Sequence, residues 1–292
     1  MLHMLGRHLL GILTGLAILA APAAAEPVPR RIVSLLPSLT EILFAVGAGD
    51  QVVGVTTHCT FPPEAQQGRT QVGGYVPASM SLERIVGLGP DLVLAFDDAT
   101  QTPVVAELRR LGLRVEAVAV RSVDDVAAAI RRVGELVGRR QAAERVAGEV
   151  LASIDRIHRR LAGIPEEARP QVFYAVWHDP LMTAGRRTFT HELIELAGGR
   201  NIFGDVDREY FVVSFEEMLE RDPEVILGAD SHGLIPSLAD GTRPIWRHVQ
   251  AVRQGRAYGI DGDVVSRPGP RLGEALRLIA GKLHPEIFGE AP

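Results

Sequence analysis

Short apolar runs recur along the chain, with polar and glycine-containing segments between them. Each run is rich in valine, isoleucine and leucine and ends beside turn-forming residues, which is typical of a buried β-strand. Several intervening segments have apolar residues at helical spacing, so strands and helices alternate. This alternation predicts an α/β fold with mainly parallel sheets. The predicted strands are residues 32–36, 52–56, 92–96, 115–119, 172–176, 225–229 and 257–261.

The chain contains an internal duplication. The segment SLERIVGLGPDLVLAF at residues 81–96 aligns without a gap with SFEEMLERDPEVILGA at residues 214–229. Each reads as a short helix capped by serine, a turn with proline and an apolar strand, and Ser214 with Glu217 matches the S-x-x-E capping box. The repeat predicts two Rossmann-like lobes of related build.

A long helical segment lies between the two predicted lobes. Its apolar residues are spaced three and four apart, which predicts one helix ending near Val137 and a longer one from about Arg140 to Leu161. A helical connection is stiff, so we expect little closure of one lobe on the other. The predicted boundaries are 26–121 for the first lobe, 122–168 for the bridge and 169–292 for the second lobe. A single-domain α/β enzyme with a long surface helix is the alternative.

The N-terminus predicts export. Residues 1–25 combine a basic start at Arg7, an apolar stretch and the sequence Ala23-Ala24-Ala25, which is the pattern of a cleavable signal peptide. No cysteine stands at the expected cleavage point to receive a lipid, so we expect a freely diffusing periplasmic protein. The formal net charge is −5 and becomes −6 without Arg7, which argues against nucleic-acid binding. The single cysteine, Cys59, cannot form an internal disulfide.

The candidate ligand site lies in the loops after the strands, because ligands of open parallel sheets bind outside the carboxyl ends of the strands. These loops carry many of the chain's aromatic and imidazole groups, which suit a large flat ligand. Ser38 and Glu41 match a further capping box, which would expose helix N-terminal amides in the same region. The candidates include His58, Tyr75, Phe96, Trp177, His178 and Tyr210.

Catalytic and metal-site interpretations are weaker. Cys59 follows His58 directly, but a nucleophile and its base meet through the fold, and no G-x-S-x-G context is present. The sequence has no H-E-x-x-H, C-x-x-C, G-x-G-x-x-G or P-loop pattern. We therefore expect no enzyme activity and no resident metal or cofactor. A secreted metal-dependent hydrolase using His58, His178 and Asp179 is the alternative from another class.

Glu83 and Glu216 occupy the same position in the two copies of the repeat, near the start of a helix. Stabilisation by the helix dipole is one explanation of an acid there. The other is recognition, because two equivalent carboxylates on rigidly joined lobes could bind arginines of a two-fold symmetric partner.

The motifs RRIVSLLPSLTEILFAVGAGDQVVGV, PPEA, SLERIVGLGPDLVLAF, WHDPLMTAG and ELAGGRNIF extend over most of the chain after residue 30. In these segments it resembles the periplasmic cobalamin-binding proteins of ABC importers. They belong to the class III solute-binding proteins, which are helical-backbone receptors for metal chelates, siderophores and haem. The resemblance implies two α/β lobes joined by a long rigid helix, a monomer without a cofactor of its own, cobalamin held between the lobes, and delivery to a permease dimer.

Position by position, the resemblance implies a set of ligand contacts and a docking pair. Glu83 and Glu216 correspond to the family's transporter-docking carboxylates. His58 replaces a tyrosine of the family, and we hypothesise that it is an axial ligand to the cobalt of the corrinoid. Met182 replaces an aromatic residue, for which the neighbouring Trp177 could compensate. With Trp177 and His178, which are candidates from their place after a strand, the expected ligand-binding set is His58, Tyr75, Phe96, Trp177, His178, Met182, Tyr210, Asp263 and Arg267. A haem or ferric-siderophore receptor of the same group is the nearest rival.

Overall fold

The computed structural model of the chain describes residues 27–230, 233–239 and 242–289. The predicted signal peptide, residues 1–25, lies outside these ranges. No helix in the described ranges is long and apolar enough to cross a membrane.

The first lobe is built on one parallel sheet. Its five strands run in the order β3-β2-β1-β4-β5, and every neighbouring pair is parallel. The strands are β1 (Ile32–Ser34), β2 (Val52–Val55), β3 (Thr70–Gln71), β4 (Leu92–Phe96) and β5 (Val115–Val118), and the helices are α1 (Pro37–Ala45), α2 (Leu82–Gly87) and α3 (Thr102–Arg110). The four strands predicted for this lobe are confirmed to within two residues, and β3 was not predicted.

Two helices form the bridge, α4 (Val123–Leu136) and α5 (Arg140–Leu161). The Ser122 hydroxyl accepts a hydrogen bond from the Asp125 amide and the Asp125 carboxylate accepts one from the Ser122 amide, which caps α4. Gly138, with φ of +69°, follows the end of α4 in the left-handed conformation that ends many helices. The bounds therefore agree with the predicted break after Val137.

The second lobe has two sheets. Its strands are β6 (Gln171–Ala175), β7 (Trp177–His178), β8 (Leu181–Ala184), β9 (Arg200–Asn201), β10 (Tyr210–Val212), β11 (Val225–Ala229) and β12 (Ala257–Ile260). A parallel sheet has the order β12-β11-β6-β9, and a small antiparallel sheet has the order β10-β8-β7. The antiparallel sheet was not predicted, because β7 has two residues and β10 has three, too few to show a period.

The helices of the second lobe are α6 (Phe189–Leu196), α7 (Phe215–Glu220), α8 (Leu234–Ala239), α9 (Gln250–Arg253), α10 (Gly262–Val265), α11 (Leu272–Leu283) and α12 (Pro285–Phe288). Of these, α6, α8, α9 and α11 pack against the strands of its parallel sheet. The Ser214 hydroxyl accepts a hydrogen bond from the Glu217 amide at 3.0 Å, and the Ser81 hydroxyl caps α2 in the same way. The duplicated unit of capped helix, turn and strand is therefore present in both lobes.

One hydrophobic core runs through the junction of the lobes. A single cluster of buried side chains includes Leu39 of the first lobe, Ile130 and Val150 of the bridge, and Leu193 and Leu276 of the second lobe. Separating the lobes would expose this apolar surface to water, which is unfavourable. The junction is therefore packed like a domain interior, while the two parallel sheets stay separate. The single-domain alternative does not describe this arrangement.

The capping box expected at Ser38 and Glu41 is wrong. The helix begins two residues earlier, with Leu36 as N-cap and Pro37 as the first helical residue, and the cap has no side-chain hydrogen bond. Proline fits this position because its missing N–H has no partner in a first turn. The Glu41 side chain is instead buried and binds two arginines of the other lobe.

Candidate ligand-binding cleft

A cleft of about 820 Å³ lies between the two lobes, at the carboxyl ends of the parallel strands. This volume is in the upper part of the range usual for small-molecule sites, about 300–1,000 Å³. The lining residues are Leu36, Pro37, Ser38, His58, Tyr75, Phe96, Asp97, Asp98, Ala99, Thr100, Val120 and Arg121 from the first lobe, and Arg187, Thr188, Phe189, Glu209, Tyr210, Asp263, Ser266, Arg267 and Pro268 from the second.

The first lobe contributes an imidazole and two aromatic rings. His58, from the loop after β2, is exposed and lines the cleft. Tyr75 lines the same wall, and its hydroxyl donates a hydrogen bond to the Asp98 carboxylate. Burial and then this hydrogen bond raise the pKa of the Tyr75 hydroxyl above its ordinary value of 10.0. Tyr75 is therefore held as a neutral phenol.

The facing wall is formed by the second lobe around Tyr210. Tyr210 lies on β10, beside Phe189 at the start of α6, and its hydroxyl is 3.3 Å from the Thr190 hydroxyl. Burial is the main cause that raises the pKa of the Tyr210 hydroxyl. The two walls therefore present rings with neutral polar edges, an arrangement that suits a flat ligand with a polar rim.

The floor of the cleft joins the lobes through charged side chains. Arg267 of the second lobe donates hydrogen bonds to the His58 carbonyl oxygen at 3.1 Å and to the Thr60 hydroxyl at 2.9 Å. It also pairs with Asp263 at 2.5 Å and with Glu41 at 3.2 Å. Asp263 in turn accepts a hydrogen bond from Thr60 at 3.0 Å. Asp263 and Arg267, which the family resemblance implies as ligand contacts, therefore line the cleft, and both are also engaged in contacts between the lobes.

The charges that line the cleft are mixed. The acidic groups are Asp97, Asp98, Glu209 and Asp263, and the arginines are Arg121, Arg187 and Arg267. At the rim, Arg121 and Asp97 form an ion pair at 3.1 Å. A cleft with this composition offers both acceptors and donors, and it lacks the excess of positive charge that a polyanionic ligand would need.

Three predicted ligand contacts, Trp177, His178 and Met182, are not among the residues that line this cleft. They lie on the antiparallel sheet, whose register places Trp177 opposite Met182 and Met182 opposite Val212. Trp177, Met182, Val212 and Tyr210 therefore share one face of that sheet. Only Tyr210 reaches the cleft, and the others form an apolar surface beside it, with Trp177 41% exposed.

His178 also lacks the environment of a metal ligand. Its ring lies against Trp177, with ring centroids 5.2 Å apart, and its buried Nδ1 has no hydrogen-bond partner in the described ranges. The described residues contain no group of three or more histidine, cysteine or acidic side chains that could hold a metal ion. Cys59 is buried, with its sulfur 3.1 Å from the hydroxyls of Thr40 and Thr56, so it packs as a core residue.

Some lining residues were missed although a rule could have found them. Arg121 follows β5 by three residues, so the rule of inspecting every strand end would include it. Phe189 and Glu209 have no such signal, because they enter the cleft through α6 and the antiparallel sheet. Glu41 was assigned to a helix cap, and only its contacts in the tertiary structure show what it binds.

Glu83 and Glu216 are exposed and lie in equivalent places. Each is in the first turn of a six-residue helix, α2 or α7, that follows a serine cap. Their equivalence in sequence is therefore also an equivalence in structure.

Comparison with known proteins places this architecture in a known group. A model of the family described as periplasmic binding protein matches residues 32–264. A protein named cobalamin-binding protein from Halobacterium salinarum is 33% identical over 264 residues, 88% of this chain and 70% of that one. Two solved structures are similar over 87% of this chain. The periplasmic haem-binding protein RhuT from Roseiflexus sp. RS-1 has 31% identity and a TM-score of 0.78 over 98% of its chain. The periplasmic vitamin B12 binding protein BtuF of Vibrio cholerae has 26% identity and a TM-score of 0.76 over 96% of its chain.

Proposed function

The chain belongs to the periplasmic binding protein family, and on that premise we propose that it captures cobalamin between its lobes and delivers it unchanged to an ABC importer. The family consists of solute-binding receptors and not of enzymes. The cobalamin-binding relatives and the cleft of about 820 Å³ between two separate sheets support this proposal. The observation that carries the choice of ligand is the mixed polarity of the cleft.

Cobalamin has a large macrocycle rimmed by uncharged amides, and each amide both donates and accepts hydrogen bonds. The cleft matches this chemistry, since Asp97, Asp98 and Glu209 can accept from amide N–H groups while Arg187 can donate to amide oxygens. A ferric siderophore with several negative charges would meet these carboxylates without a compensating excess of arginine. The electrostatics therefore favour the corrinoid.

Haem is the second candidate, favoured by the similarity to RhuT and by the presence of His58, Arg121 and Arg187, which could serve the iron and the propionates. A tyrosine that binds ferric haem does so as phenolate. The Tyr75 hydroxyl keeps its proton and donates a hydrogen bond to Asp98, and burial opposes ionisation of both Tyr75 and Tyr210. Among the described residues that line the cleft, this leaves His58 as the side chain suited to the iron, and the tyrosine environment counts against a haem receptor.

Calorimetric titration of the purified protein with cyanocobalamin, hemin and a ferric siderophore tests the proposal. We expect saturable one-to-one binding of cyanocobalamin, with markedly weaker binding of the other two. Tighter binding of hemin would replace the corrinoid assignment with the haem alternative. Absence of binding by all three would reject both.

Export and partnership follow from the same proposal. We propose a monomeric protein in the periplasm, cleaved near Ala25, that docks on a permease dimer through Glu83 and Glu216. Mass spectrometry of the protein recovered from the periplasm should give a mature N-terminus close to Glu26. A mass that includes residues 1–25 would contradict cleavage.

A further inference from the structure

Glu41 is a buried carboxylate that connects the two lobes. It lies on α1 of the first lobe and is 3% exposed. Its Oε1 accepts a hydrogen bond from Arg271 Nη2 at 2.7 Å and from Arg267 Nη1 at 3.2 Å, and its Oε2 accepts one from Arg271 Nε at 2.9 Å. Both arginines belong to the second lobe. One carboxylate therefore binds two guanidinium groups across the junction. Arg271 contacts both of its oxygens, and Arg267 contacts one.

The network continues from Glu41 to the ligand cleft. Arg267 lines the cleft, and its Nη2 holds the carbonyl oxygen of His58 and the hydroxyl of Thr60. The loop that carries the His58 imidazole is therefore held from the opposite lobe. The guanidinium of Arg271 stacks over the Phe61 ring, with its central carbon 4.1 Å from the ring centroid.

Glu41 is the buried acid that both arginines share. The side chains of Arg267 and Arg271 are only 8% and 14% exposed, whereas that of Asp263, the other acid paired with Arg267, is 60% exposed. Without the carboxylate at position 41, Arg267 would keep only the exposed Asp263 as its acidic partner in the described ranges. Buried charges without a close partner are strongly unfavourable, so Arg267 would have to move toward water. Arg267 lines the cleft, so the cleft gives it room to move.

We propose that Glu41 is a positioning residue of the ligand site. Through Arg267 it fixes the loop of His58 and the separation of the two lobes, so that the cleft is set to its ligand-binding width before the ligand arrives. The effect on affinity rests on the proposed function of the cleft, whereas the effect on lobe separation does not.

The first test needs no ligand. Val86, 41% exposed, and Glu220, also exposed, are replaced by cysteine to carry spin labels on the two lobes, while buried Cys59 stays unreactive. Double electron–electron resonance measures the distance between the two spin labels. It should give one narrow distribution for the protein with native Glu41 and a wider or shifted one for Glu41→Gln. The control is Glu116→Gln, which removes a first-lobe carboxylate that Arg132 of the bridge binds through two nitrogens, so no contact with the second lobe is lost. Identical distributions for Glu41→Gln and the native background would overturn the proposal.

The second test is the affinity for cyanocobalamin, or for hemin if that ligand is the one bound. Glu41→Gln should weaken binding about tenfold or more, the scale of a lost hydrogen bond to a charged group. In an Arg267→Met background the same change should have little further effect, because Glu41 acts through Arg267. Fully additive losses would show a merely structural role.

Failure of Glu41→Gln to fold would not prevent the tests. The double variant Glu41→Met/Arg271→Met removes one charge of each sign, a change that proteins often tolerate, and it also releases Arg267. It should give the wider distance distribution and the weaker affinity. A distance distribution in this variant identical to that of the unsubstituted protein would overturn the proposal. If the unsubstituted protein binds none of the tested ligands, only the proposed function is rejected.

Discussion

His58 and Tyr75 line the same wall of the cleft, but their polar atoms differ in what they can still bind. The Tyr75 hydroxyl is engaged by Asp98, whereas the His58 imidazole makes no hydrogen bond to the described residues. The contact that holds the His58 segment uses its backbone carbonyl, so the ring remains available to a ligand. His58 is held through its main chain, and its imidazole is suited to coordinate a metal ion carried by a bound ligand.

Replacement of His58 by alanine tests whether the imidazole reaches cobalt. We expect the visible spectrum of aquocobalamin to shift on binding to the native protein and to shift less on binding to His58→Ala, because an imidazole nitrogen would replace the cobalt-bound water. Tyr75→Phe is the control, since it leaves His58 in place. Identical spectra for the native protein and His58→Ala would reject coordination while leaving cobalamin binding intact.

Tyr174 gives a prediction about alkaline stability. It lies under the cleft, 5% exposed, and burial is the main cause that raises the pKa of its hydroxyl above the ordinary value of 10.0. Above about pH 10 the unfolded chain releases this proton and the folded chain retains it, so stability falls by up to about 1.4 kcal/mol per pH unit for this group. Below pH 10 the group contributes no pH dependence.

Tyr174→Phe should therefore lose stability less steeply than the native protein between pH 10 and pH 11. The raised pKa values of Tyr75 and Tyr210 lower the alkaline stability of both proteins equally. The difference between the two slopes therefore reports the Tyr174 hydroxyl alone. Urea unfolding followed by tryptophan fluorescence at pH 8, 10 and 11 measures the slopes. Parallel slopes would contradict the assignment.

At the scale of elements, the close packing of α4 on α5 makes the bridge stiff. Gly134 of α4 faces Ala143 of α5 so closely that a methyl group added at Gly134 would lie 2.2 Å from the Ala143 Cβ. That separation is far below van der Waals contact, so the helices can approach only because residue 134 has no side chain. Gly148 on the exposed side of α5 has nothing within 4 Å of the same added atom.

These two glycines predict opposite effects of the same substitution. Gly148→Ala should stabilise the protein by up to about 1 kcal/mol, because alanine favours the helix. Gly134→Ala has the same helical advantage but must push the helices apart, so a net loss of about 1–3 kcal/mol is expected. The free energy of unfolding from urea titration measures both. Stabilisation by Gly134→Ala would show that α4 and α5 are not tightly packed there.

The elements also show where sequence patterns are sufficient. The bounds of α5 and the seven main strands follow from runs of apolar residues long enough to show a period, ended by proline or glycine. The antiparallel sheet of β7, β8 and β10 has strands of two to four residues, so its hydrogen bonds depend on pairing and not on local pattern. The place of Trp177 after β6 and the family resemblance at Met182 both suggest the cleft, whereas the pairing of this sheet puts both residues beside it.

At the scale of the whole molecule, two similar lobes present two similar surfaces on one rigid body. The shared core through α4, α5 and α11 keeps the lobes in a fixed relation, and Glu83 and Glu216 occupy equivalent exposed positions on them. A partner with two-fold symmetry could engage both carboxylates at once, which raises affinity without a new type of contact.

Charge reversal at these positions tests docking separately from ligand capture. Glu83→Arg and Glu216→Arg should each reduce the ligand-dependent ATPase activity of the reconstituted importer, and the double variant should abolish it, because arginine would repel a basic docking site. Ligand affinity should be unchanged. Glu220→Arg, exposed on the same helix as Glu216, is the matched control. Full activity of the double variant would remove these residues from the docking surface.

Hydrophobic periodicity and capping, which act within a few residues of chain, were enough to predict the two α/β lobes, the helical bridge and the duplicated helix starts. Inspection of the segments after the strands identified His58, Tyr75, Phe96 and Tyr210, the family resemblance implied Asp263 and Arg267, and all six line the cleft. The folded molecule was needed to show that Trp177, His178 and Met182 lie beside the cleft, that Tyr75 binds Asp98, and that Glu41 binds Arg267 and Arg271. The short strands that carry Trp177 and Met182 have too few residues to show a pattern. Glu41 and Arg267 are 226 residues apart in the sequence, so their ion pair forms only after the lobes have packed against each other.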